Sequence, residues 1–439
     1  MKIFIILLGV LIVSLLAALV GGSLWFGSYV GSDPFRALVA EATGSALRSE
    51  AELAPLRWSG SSAYSESARL VGRPDAAIKT LSASQVRADV NWRALFSGAW
   101  RVEDITITQL DASWQRPGEP EAGGGLRTLP SPPALVAALL PRKFELGTLS
   151  VASANLSFGG SEIEATSLTV RPDGAGWTFQ GKGGSYLSPW TPTLEISDFR
   201  ARTQGGDIFL TQGRLRLGAN GKIAVSGESA SGGKLQVSWD GVSTSDILRG
   251  GWLKRLQGIL SGTLDLAGPG SASGTVELKE GRLENIPLLA TIADFTQNPA
   301  FRRMPLQEVT AKFVREGSGW RITEFRAESK GLLRLEGTAL VGDDGSLEGQ
   351  LEVGVTTQTL QWIPGSREKV FTSAKDGYLW AHLTLGGTVE TPREDLSGRL
   401  LSAMGQAVLE QGGKLIEQVP GSAVEGAKSV LDILRPFVP

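Results

Sequence analysis

The chain contains no cysteine and only one histidine, His382, among its 439 residues. Without cysteine it can form neither a disulfide framework nor a thiolate metal site, and it suits an oxidising compartment, where thiols would mispair. A single histidine cannot build a two-histidine metal site. His382 alternates with Ala381 and Leu383, which places it on the polar face of a strand. We therefore predict that it is a solvated structural histidine.

The chain also lacks an excess of either charge and the common catalytic motifs. The 43 basic and 45 acidic residues nearly cancel, and no Lys/Arg-rich run could follow a phosphate backbone, so we expect no nucleic-acid partner. Neither a G-x-S-x-G nucleophile motif nor a phosphate-binding G-x-x-x-x-G-K-[ST] loop occurs. Asp343-Asp344-Gly345 fits a turn between strands better than a metal site. The sequence predicts a protein that is not an enzyme and that holds no metal or cofactor.

Charge is absent from the N-terminal segment between Lys2 and Asp33. The run from Ile3 to Val20 is uncharged and mostly apolar, and about 20 such residues span a bilayer as a helix. Aromatic side chains suited to the boundary between lipid and water follow it, at Trp25, Phe26 and Tyr29. We predict an uncleaved transmembrane anchor over 1–30, with the body of the chain outside the cytosol. A signal peptide cleaved near Ser23 is the alternative.

Glycine and tryptophan are abundant, with 56 and 12 residues, a mixture suited to tight turns between short strands that carry large side chains. Apolar and polar residues alternate in runs such as Ile208/Leu210, Leu215/Leu217, Ile223/Val225 and Leu235/Val237/Trp239. These runs lie about 8 to 15 residues apart, whereas parallel strands need a crossover of a dozen or more residues each time. The sequence therefore predicts a mainly β, antiparallel body.

Helix is expected only in short pieces, near 34–43, 91–97, 134–140, 245–257, 287–296 and in the last 40 residues. An apolar stripe at helical spacing predicts an amphipathic helix over 422–435 that ends before Pro436; its members are Val424, Ala427, Val430, Leu431 and Leu434. This helix either packs over the end of the sheet or binds a membrane surface or a partner protein.

A Pro/Gly-rich stretch over 116–133 prevents both helix and sheet pairing, and it divides the chain. The predicted segments are an anchor over 1–30, an N-terminal β unit over 31–115, the Pro/Gly-rich loop over 116–133, a middle β region over 134–257, a C-terminal β region over 258–400 and a helical tail over 401–439.

Strands that are apolar on one face and polar on the other must cover the apolar face. Each buried leucine or valine contributes about 1.5 to 3 kcal/mol, and an uncovered face of them would aggregate. The chain offers too few helices for this purpose. Two sheets can pack as a sandwich, or one sheet can curl into a trough whose interior is filled by lipid. Alternation fits both arrangements.

Two stretches resemble the AsmA family of bacterial envelope proteins. The first is AEATGSALRSEAELAPLRW followed by IKTLSASQVRADVNWRALFSGAWRVEDITITQLDASW. The second resembles the AsmA-like C-terminal region and reads SGTVELKEGRLENIPLLATIADFT, then MPLQEVTAKFVREGSGWRITEFRAESKGLLRLEGTALVGDDGSLEGQLEVGV, and finally LTLGGTVETPRED. In the family a strand, a short helical turn and another strand follow a membrane helix. The segments similar to that turn and the second strand are 92–98 and 102–114.

The resemblance implies an inner-membrane anchor that carries an elongated, curved antiparallel β-sheet with an apolar groove in the periplasm. It also implies that the protein binds membrane phospholipid and helps to move it across the envelope, which supports outer-membrane integrity. Further partners would be other envelope proteins, bound through sheet edges or the C-terminal helix. The alternative is a structural scaffold, or a factor that assists outer-membrane protein assembly by pairing with client strands.

A lipid groove requires apolar side chains on one face of successive strands. The candidate lining residues at such alternating positions are Leu264, Leu266, Val276, Leu278, Leu333, Leu335, Leu351, Val353 and Val355. Neighbours such as Arg334 and Glu352 point to the opposite face, because successive side chains in a strand alternate.

Overall fold

The computed structural model describes Ala40 and residues 48–76, 78–91, 99–115, 143–174, 176–189, 191–204, 207–228, 233–268, 270–286, 289–290, 293, 298–360 and 365–415. Within these residues the protein is mainly β, as the alternation predicts, with few helices. The chain divides into two compact units. Unit 1 lies within Met1–Val242 and Thr263–Pro269, and unit 2 within Ser243–Gly262 and Gly270–Pro439.

Unit 1 is a ladder of strands. The strands are β1 (Ser49–Leu53), β2 (Leu56–Ser59), β3 (Ser62–Gly72), β4 (Ile78–Asn91), β5 (Ala99–Trp114), β6 (Lys143–Phe158), β7 (Ser161–Asp173), β8 (Gly176–Lys182), β9 (Ser185–Ser188), β10 (Thr191–Gln204), β11 (Asp207–Leu217), β12 (Gly221–Glu228) and β13 (Lys234–Ser243). Both β1 and β2 pair with β3, and the order continues through β4, β5, β6 and β7. The short strands β8 and β9 both join β7 to β10, which is followed by β11, β12 and β13.

One pair departs from the antiparallel prediction. β5 and β6 run parallel, from Ala99 opposite Lys143 to Ser113 opposite Ser157. A parallel pair needs a crossover of a dozen or more residues, and the segment that connects these two strands is long enough to supply it. The prediction of a wholly antiparallel body is therefore wrong here, because it treated 116–133 as a break between regions rather than as part of a crossover connection.

Two β-bulges keep the apolar side chains of β10 and β11 on one face. Between Ile196 and Asp198 the partner moves by only one residue, so β10 carries the extra residue there. Between Arg200 and Ala201 the extra residue belongs to β11. As a result Ile196 lies opposite Leu215 and Ala201 opposite Leu210, on the same side of the ladder.

A hydrophobic core fills the first part of unit 1. Its most buried large side chains lie on β3 to β6, at Leu70, Leu81, Ile105, Ile107, Leu110 and Leu149. Phe199 of β10 is only half-buried and packs against the margin of this core. Most apolar positions of β10 are still buried, at Leu194, Ile196 and Ala201, whereas half-burial prevails at β11 to β13.

Among the described residues, unit 2 contains the remaining strands and several helical elements. The strands are β14 (Leu256–Ala267, of which 263–267 belong to unit 1), β15 (Ala272–Glu284), β16 (Arg303–Leu306), β17 (Glu308–Glu316), β18 (Gly319–Ser329), β19 (Leu333–Gly342), β20 (Leu347–Thr356), β21 (Ser373–Lys375), β22 (Tyr378–Gly387) and β23 (Pro392–Glu394). The α-helices are α1 (Thr244–Ile247), α2 (Thr357–Leu360), α3 (Ser366–Lys369) and α4 (Leu396–Leu415), and the 3₁₀ turns are η1 (Gly250–Lys254) and η2 (Pro299–Phe301).

The ladder of unit 2 is antiparallel. β16 and β17 both pair with β15, and the order continues through β18, β19, β20 and β22, with β21 and β23 as short partners of β22. Leu396, Leu400 and Ala403 repeat at helical spacing on α4 and belong to the buried core with Phe301 and Phe371. Helix, turn and sheet residues thus form a closed core in this unit.

The predicted helix over 245–257 is wrong in extent. α1 ends at Ile247, a 3₁₀ turn follows, and β14 already begins at Leu256. Leu248 and Arg249 are extended, with φ/ψ of -71/145 and -128/169, and they separate α1 from the 3₁₀ turn. Gly250 then begins that turn at φ +59, a left-handed conformation that glycine tolerates at low cost. The sequence predicted the helical character of the segment but not this extended break.

Other helix predictions concern residues that are mostly outside the described ranges. Of the helix predicted over 34–43 only Ala40 is described, and it is helical. Of 91–97 only Asn91 is described, and it ends β4 in a strand conformation. Of 287–296 only residues 289, 290 and 293 are described, and they are helical. The predicted helices over 134–140 and 422–435 lie outside the described residues, as does the anchor over 1–30. Within the part of the chain that the structure describes, no helix is long and apolar enough to cross a membrane.

Truncation of Leu396 tests the closure of the unit 2 core. Leu396 is 0% exposed, so Leu396→Ala should lower the free energy of unfolding by about 2 to 5 kcal/mol, because it leaves a cavity. Leu340→Ala is the control, since this leucine is 36% exposed and its loss should change stability by about 0.5 kcal/mol or less. Hydrogen exchange of unit 2 amides in the full chain measures both. Equal effects of the two variants would contradict a closed core.

Candidate functional site

The candidate site is an incompletely covered apolar face on β11, β12 and β13 of unit 1. We call it the open face, and its residues are Leu210, Leu215, Ile223, Val225, Leu235, Val237 and Trp239. Leu215, Ile223 and Trp239 form one cross-strand row, and Val225 and Val237 form the next. All seven side chains are half-buried, although leucine, isoleucine and valine are normally among the most buried residues.

The opposite side of the same strands is polar. Lys222, Gln236, Ser238 and Asp240 alternate with the open-face residues and are exposed. Arg214 on that side donates a hydrogen bond through Nε to Oδ2 of Asp198 at 2.7 Å. One face of these strands is therefore polar and exposed to solvent, and the other is apolar and only partly covered.

Coverage of the open face varies along the strands. At one end of these strands Leu217 and Val242 are fully buried. At the other end a depression is lined by residues from both sides of the strands: Leu210 and Leu235 with Leu266 of β14, and Phe209, Ser226 and Gln236. Charged residues also line it, at Arg202, Glu228, Lys234 and Asp265. Apolar and charged residues thus share this depression.

The structure places the nine sequence-predicted lining residues in different settings. Leu264 and Leu266 are half-buried on the unit 1 part of β14, and Val276 is half-buried on β15. Leu335 is half-buried and packs against the margin of the unit 2 core. The remaining five belong to that core and are 7% exposed or less: Leu278, Leu333, Leu351, Val353 and Val355.

The apolar face of unit 2 also has an incompletely covered end. Phe313 and Trp320 are half-buried there, and their rings meet edge to face with centroids 5.7 Å apart. The Arg315 guanidinium lies 5.4 Å from the centre of the Trp320 ring. Arg315 also donates two hydrogen bonds to the Asp343 carboxylate, at 2.6 and 2.5 Å. An ion pair stacked on an aromatic ring thus marks the rim of this end.

Two acidic groups of the following turn have lowered pKa values for different reasons. The hydrogen bond from Arg315 lowers the pKa of Asp343, while hydrogen bonds from Ser346 lower that of Asp344. The Asp343-Asp344-Gly345 segment is the turn between β19 and β20, as predicted. Gly345 adopts φ +80, which explains the glycine at this position of the turn.

The polar side of unit 2 carries a network that stabilises the sheet. Tyr378 donates a hydrogen bond from its hydroxyl to Glu328, and Arg326 donates another to the same carboxylate. Burial raises the pKa of Glu328, but these hydrogen bonds and the charges of Arg334 and Arg326 together hold it below its ordinary value. Burial also raises the pKa of Tyr378. Two donors thus share one carboxylate, as in a structural network.

His382 lies where the sequence predicts, on the polar face of β22. Its side chain is 77% exposed, and Nδ1 lies 3.9 Å from the Glu352 carboxylate. Among the residues that the structure describes, no group of three or more His, Cys, Asp or Glu could hold a metal ion. The absence of catalysis, metal and cofactor stays a prediction.

Comparison with known proteins adds no relative, since no family model, no curated protein and no solved structure matches the chain. The resemblance to the AsmA family therefore stays a prediction that rests on the quoted segments.

Sequence reasoning did not select the open face as a site. It recognised Val225, Leu235, Val237 and Trp239 as strand residues but placed all nine candidate lining positions in 258–400. The signal that favours the open face is the long stretch from β10 to β13, whose described residues are strands and turns. Most of the covering helix and turn residues follow later, between 289 and 403, and seal the unit 2 core.

Arg315→Gln tests the electrostatics of the unit 2 rim. The pKa of Asp343 should rise to the ordinary aspartate range or above, because the hydrogen bond that lowers it is lost. The stabilising interaction is present above the ordinary aspartate pKa and is lost as pH falls through the lowered value. A carboxyl NMR titration of the full chain measures the shift. Asp344 is the internal control, because Ser346 lowers its pKa; an unchanged Asp343 titration would contradict the pairing.

Proposed function

We propose that the protein is an AsmA-like, inner-membrane-anchored periplasmic protein that binds phospholipid and helps to move it across the envelope. Its acyl-chain site is the open face, together with Leu264 and Leu266 on β14. The proposal combines the resemblance, the apolar run from Ile3 to Val20 and the uncovered apolar side chains of unit 1.

The observation that carries the proposal is the difference in burial between apolar positions of the same type. Ile105, Ile107 and Leu110 on β5 are 0 to 2% exposed, whereas Val225 and Val237 on β12 and β13 are only half-buried. Both sets alternate with polar residues in the same way. An apolar face that stays partly exposed to water after folding can bind an apolar ligand.

The dimensions of the open face suit an acyl chain. Leu235 and Trp239 are four residues apart, or about 14 Å along the strand, and β11 to β13 span about 10 Å across the ladder. Each CH₂ of a ligand that leaves water contributes about 0.8 kcal/mol, so six of them supply roughly 5 kcal/mol. This burial energy does not depend on the headgroup, which favours binding of phospholipids as a class.

The alternative function is a structural envelope scaffold or an outer-membrane protein assembly factor. The observation that favours it is the sealed core of unit 2, which contains Leu278, Leu333, Leu351, Val353 and Val355. A scaffold can bury its apolar face completely, whereas a lipid carrier needs part of it open. The two functions therefore differ in what they require of the open face.

Val237→Asp tests the proposal. A charge at this half-buried position should expel lipid while it lowers the free energy of unfolding by only about 1 kcal/mol, because water can reach the carboxylate. Mass spectrometry of phospholipid that co-purifies with the full chain should show a loss relative to the unchanged protein. Hydrogen exchange of unit 1 checks that the fold persists.

Two matched variants complete this test. Ser238→Asp places the same charge on the exposed side of the next position and should leave the lipid content unchanged. Val353→Asp buries the charge in the unit 2 core, where valine is 1% exposed, and should cost roughly 4 kcal/mol or more. Normal phospholipid content in the Val237→Asp protein would contradict the proposed site, as would unfolding of unit 1 to the extent seen for Val353→Asp in unit 2.

A further inference from the structure

An exposed apolar surface lies on the segment 244–255 of unit 2, which contains α1 and η1. Ile247 is 40% exposed and Leu253 is 43% exposed. These two large aliphatic side chains lie on consecutive helical turns of one short segment, and Leu248 beside Ile247 is only half-buried. Large aliphatic side chains of this kind are normally buried, so their clustering in so short a segment points to contact with an apolar environment.

The backbone of this segment is held in place by the rest of unit 2. The Trp252 indole N–H donates a hydrogen bond to the backbone carbonyl of Val389 at 2.7 Å. The Arg255 guanidinium lies 5.7 Å from the centre of the Trp252 ring. At the start of the segment the Ser243 side chain accepts a hydrogen bond from the backbone N–H of Ser245 and caps α1. The exposed aliphatic side chains are therefore carried on an anchored segment.

Cationic side chains accompany the apolar ones. The segment contains Arg249, Lys254 and Arg255 against a single carboxylate, Asp246. Arg249 and Lys254 are exposed; Arg249 directly precedes the 3₁₀ turn, and Lys254 is its last residue. Aliphatic and aromatic groups next to an excess of positive charge are the combination that binds the surface of an anionic bilayer.

We propose that the 244–255 segment docks on the surface of an anionic lipid bilayer. Ile247 and Leu253 enter the boundary between headgroups and acyl chains, and Arg249 and Lys254 bind lipid phosphates. Trp252 is half-buried and its indole N–H is already bonded to Val389, so it holds the segment in place rather than entering the bilayer. The bilayer contact is separate from acyl-chain binding on the open face, so either can hold if the other fails.

Leu253→Cys provides a direct test, because the chain has no other cysteine and a fluorescent label at this thiol is unique. An environment-sensitive dye at residue 253 of the full chain, reconstituted in phosphatidylglycerol–phosphatidylcholine vesicles, should shift its emission to the blue. Nitroxide-labelled lipids should quench it. Both signals should weaken at high salt and in phosphatidylcholine vesicles, because salt and neutral headgroups remove the attraction for the cations.

A matched control is the same label at Val314→Cys, a position that is 40% exposed on a strand of unit 2 between Ser273 and Arg321. It should report water in every vesicle. Removing the cations with Arg249→Gln and Lys254→Gln should lower the ratio of docked to undocked segment by roughly fivefold for each charge.

Three results would overturn the inference. One is a label at residue 253 that reports water in anionic vesicles, and another is quenching equal to that at residue 314. The third is a label at residue 253 that is already shielded before lipid is added, which would assign this surface to a protein contact, such as a second copy of the chain.

Discussion

An apolar strand face in water must be covered, and the way in which this chain meets that constraint determines its structure. The strands alternate apolar and polar residues almost throughout, so each sheet that they form has one apolar face and one polar face. In unit 2 the helix α4, with Leu396 and Leu400, closes over the strands and completes a core. At β11 to β13 of unit 1 the seven side chains of the open face stay half-buried. Full coverage stabilises the core of unit 2, and partial coverage leaves the open face of unit 1 in contact with water.

This division assigns different physical roles to residues that look alike. Val353 and Val237 both alternate with polar neighbours, yet Val353 is a core residue and Val237 is part of a partly wet surface. The cost of a charge at each position follows from access of water, because an unpaired buried carboxylate is far more expensive than one that is solvated. Alternation therefore defines which side chains share a face, whereas function depends on whether anything covers that face.

Local pattern was sufficient to predict the strand-rich body, the polar setting of His382 and the turn at Asp343-Asp344-Gly345. It failed where one or two residues change the local geometry. The extended residues Leu248 and Arg249 interrupt the predicted helix over 245–257, and the bulges of β10 and β11 are visible only in the pairing of these two strands. The parallel pairing of β5 with β6 and the closure of the unit 2 core join residues distant in sequence. Periodicity holds no information on such contacts, so it could not distinguish apolar residues that are buried in a core from those that stay partly exposed.

The measurement that tests the central claim most directly is site-specific photo-crosslinking of the full chain in cells. A photoreactive side chain at position 237 should form phospholipid adducts, because it faces the open apolar surface. The same group at position 236, on the exposed opposite side of β13, should form none. Phospholipid adducts at position 237 alone are the result that the account predicts. Adducts only to protein at position 237, or equal lipid adducts at both positions, would contradict it.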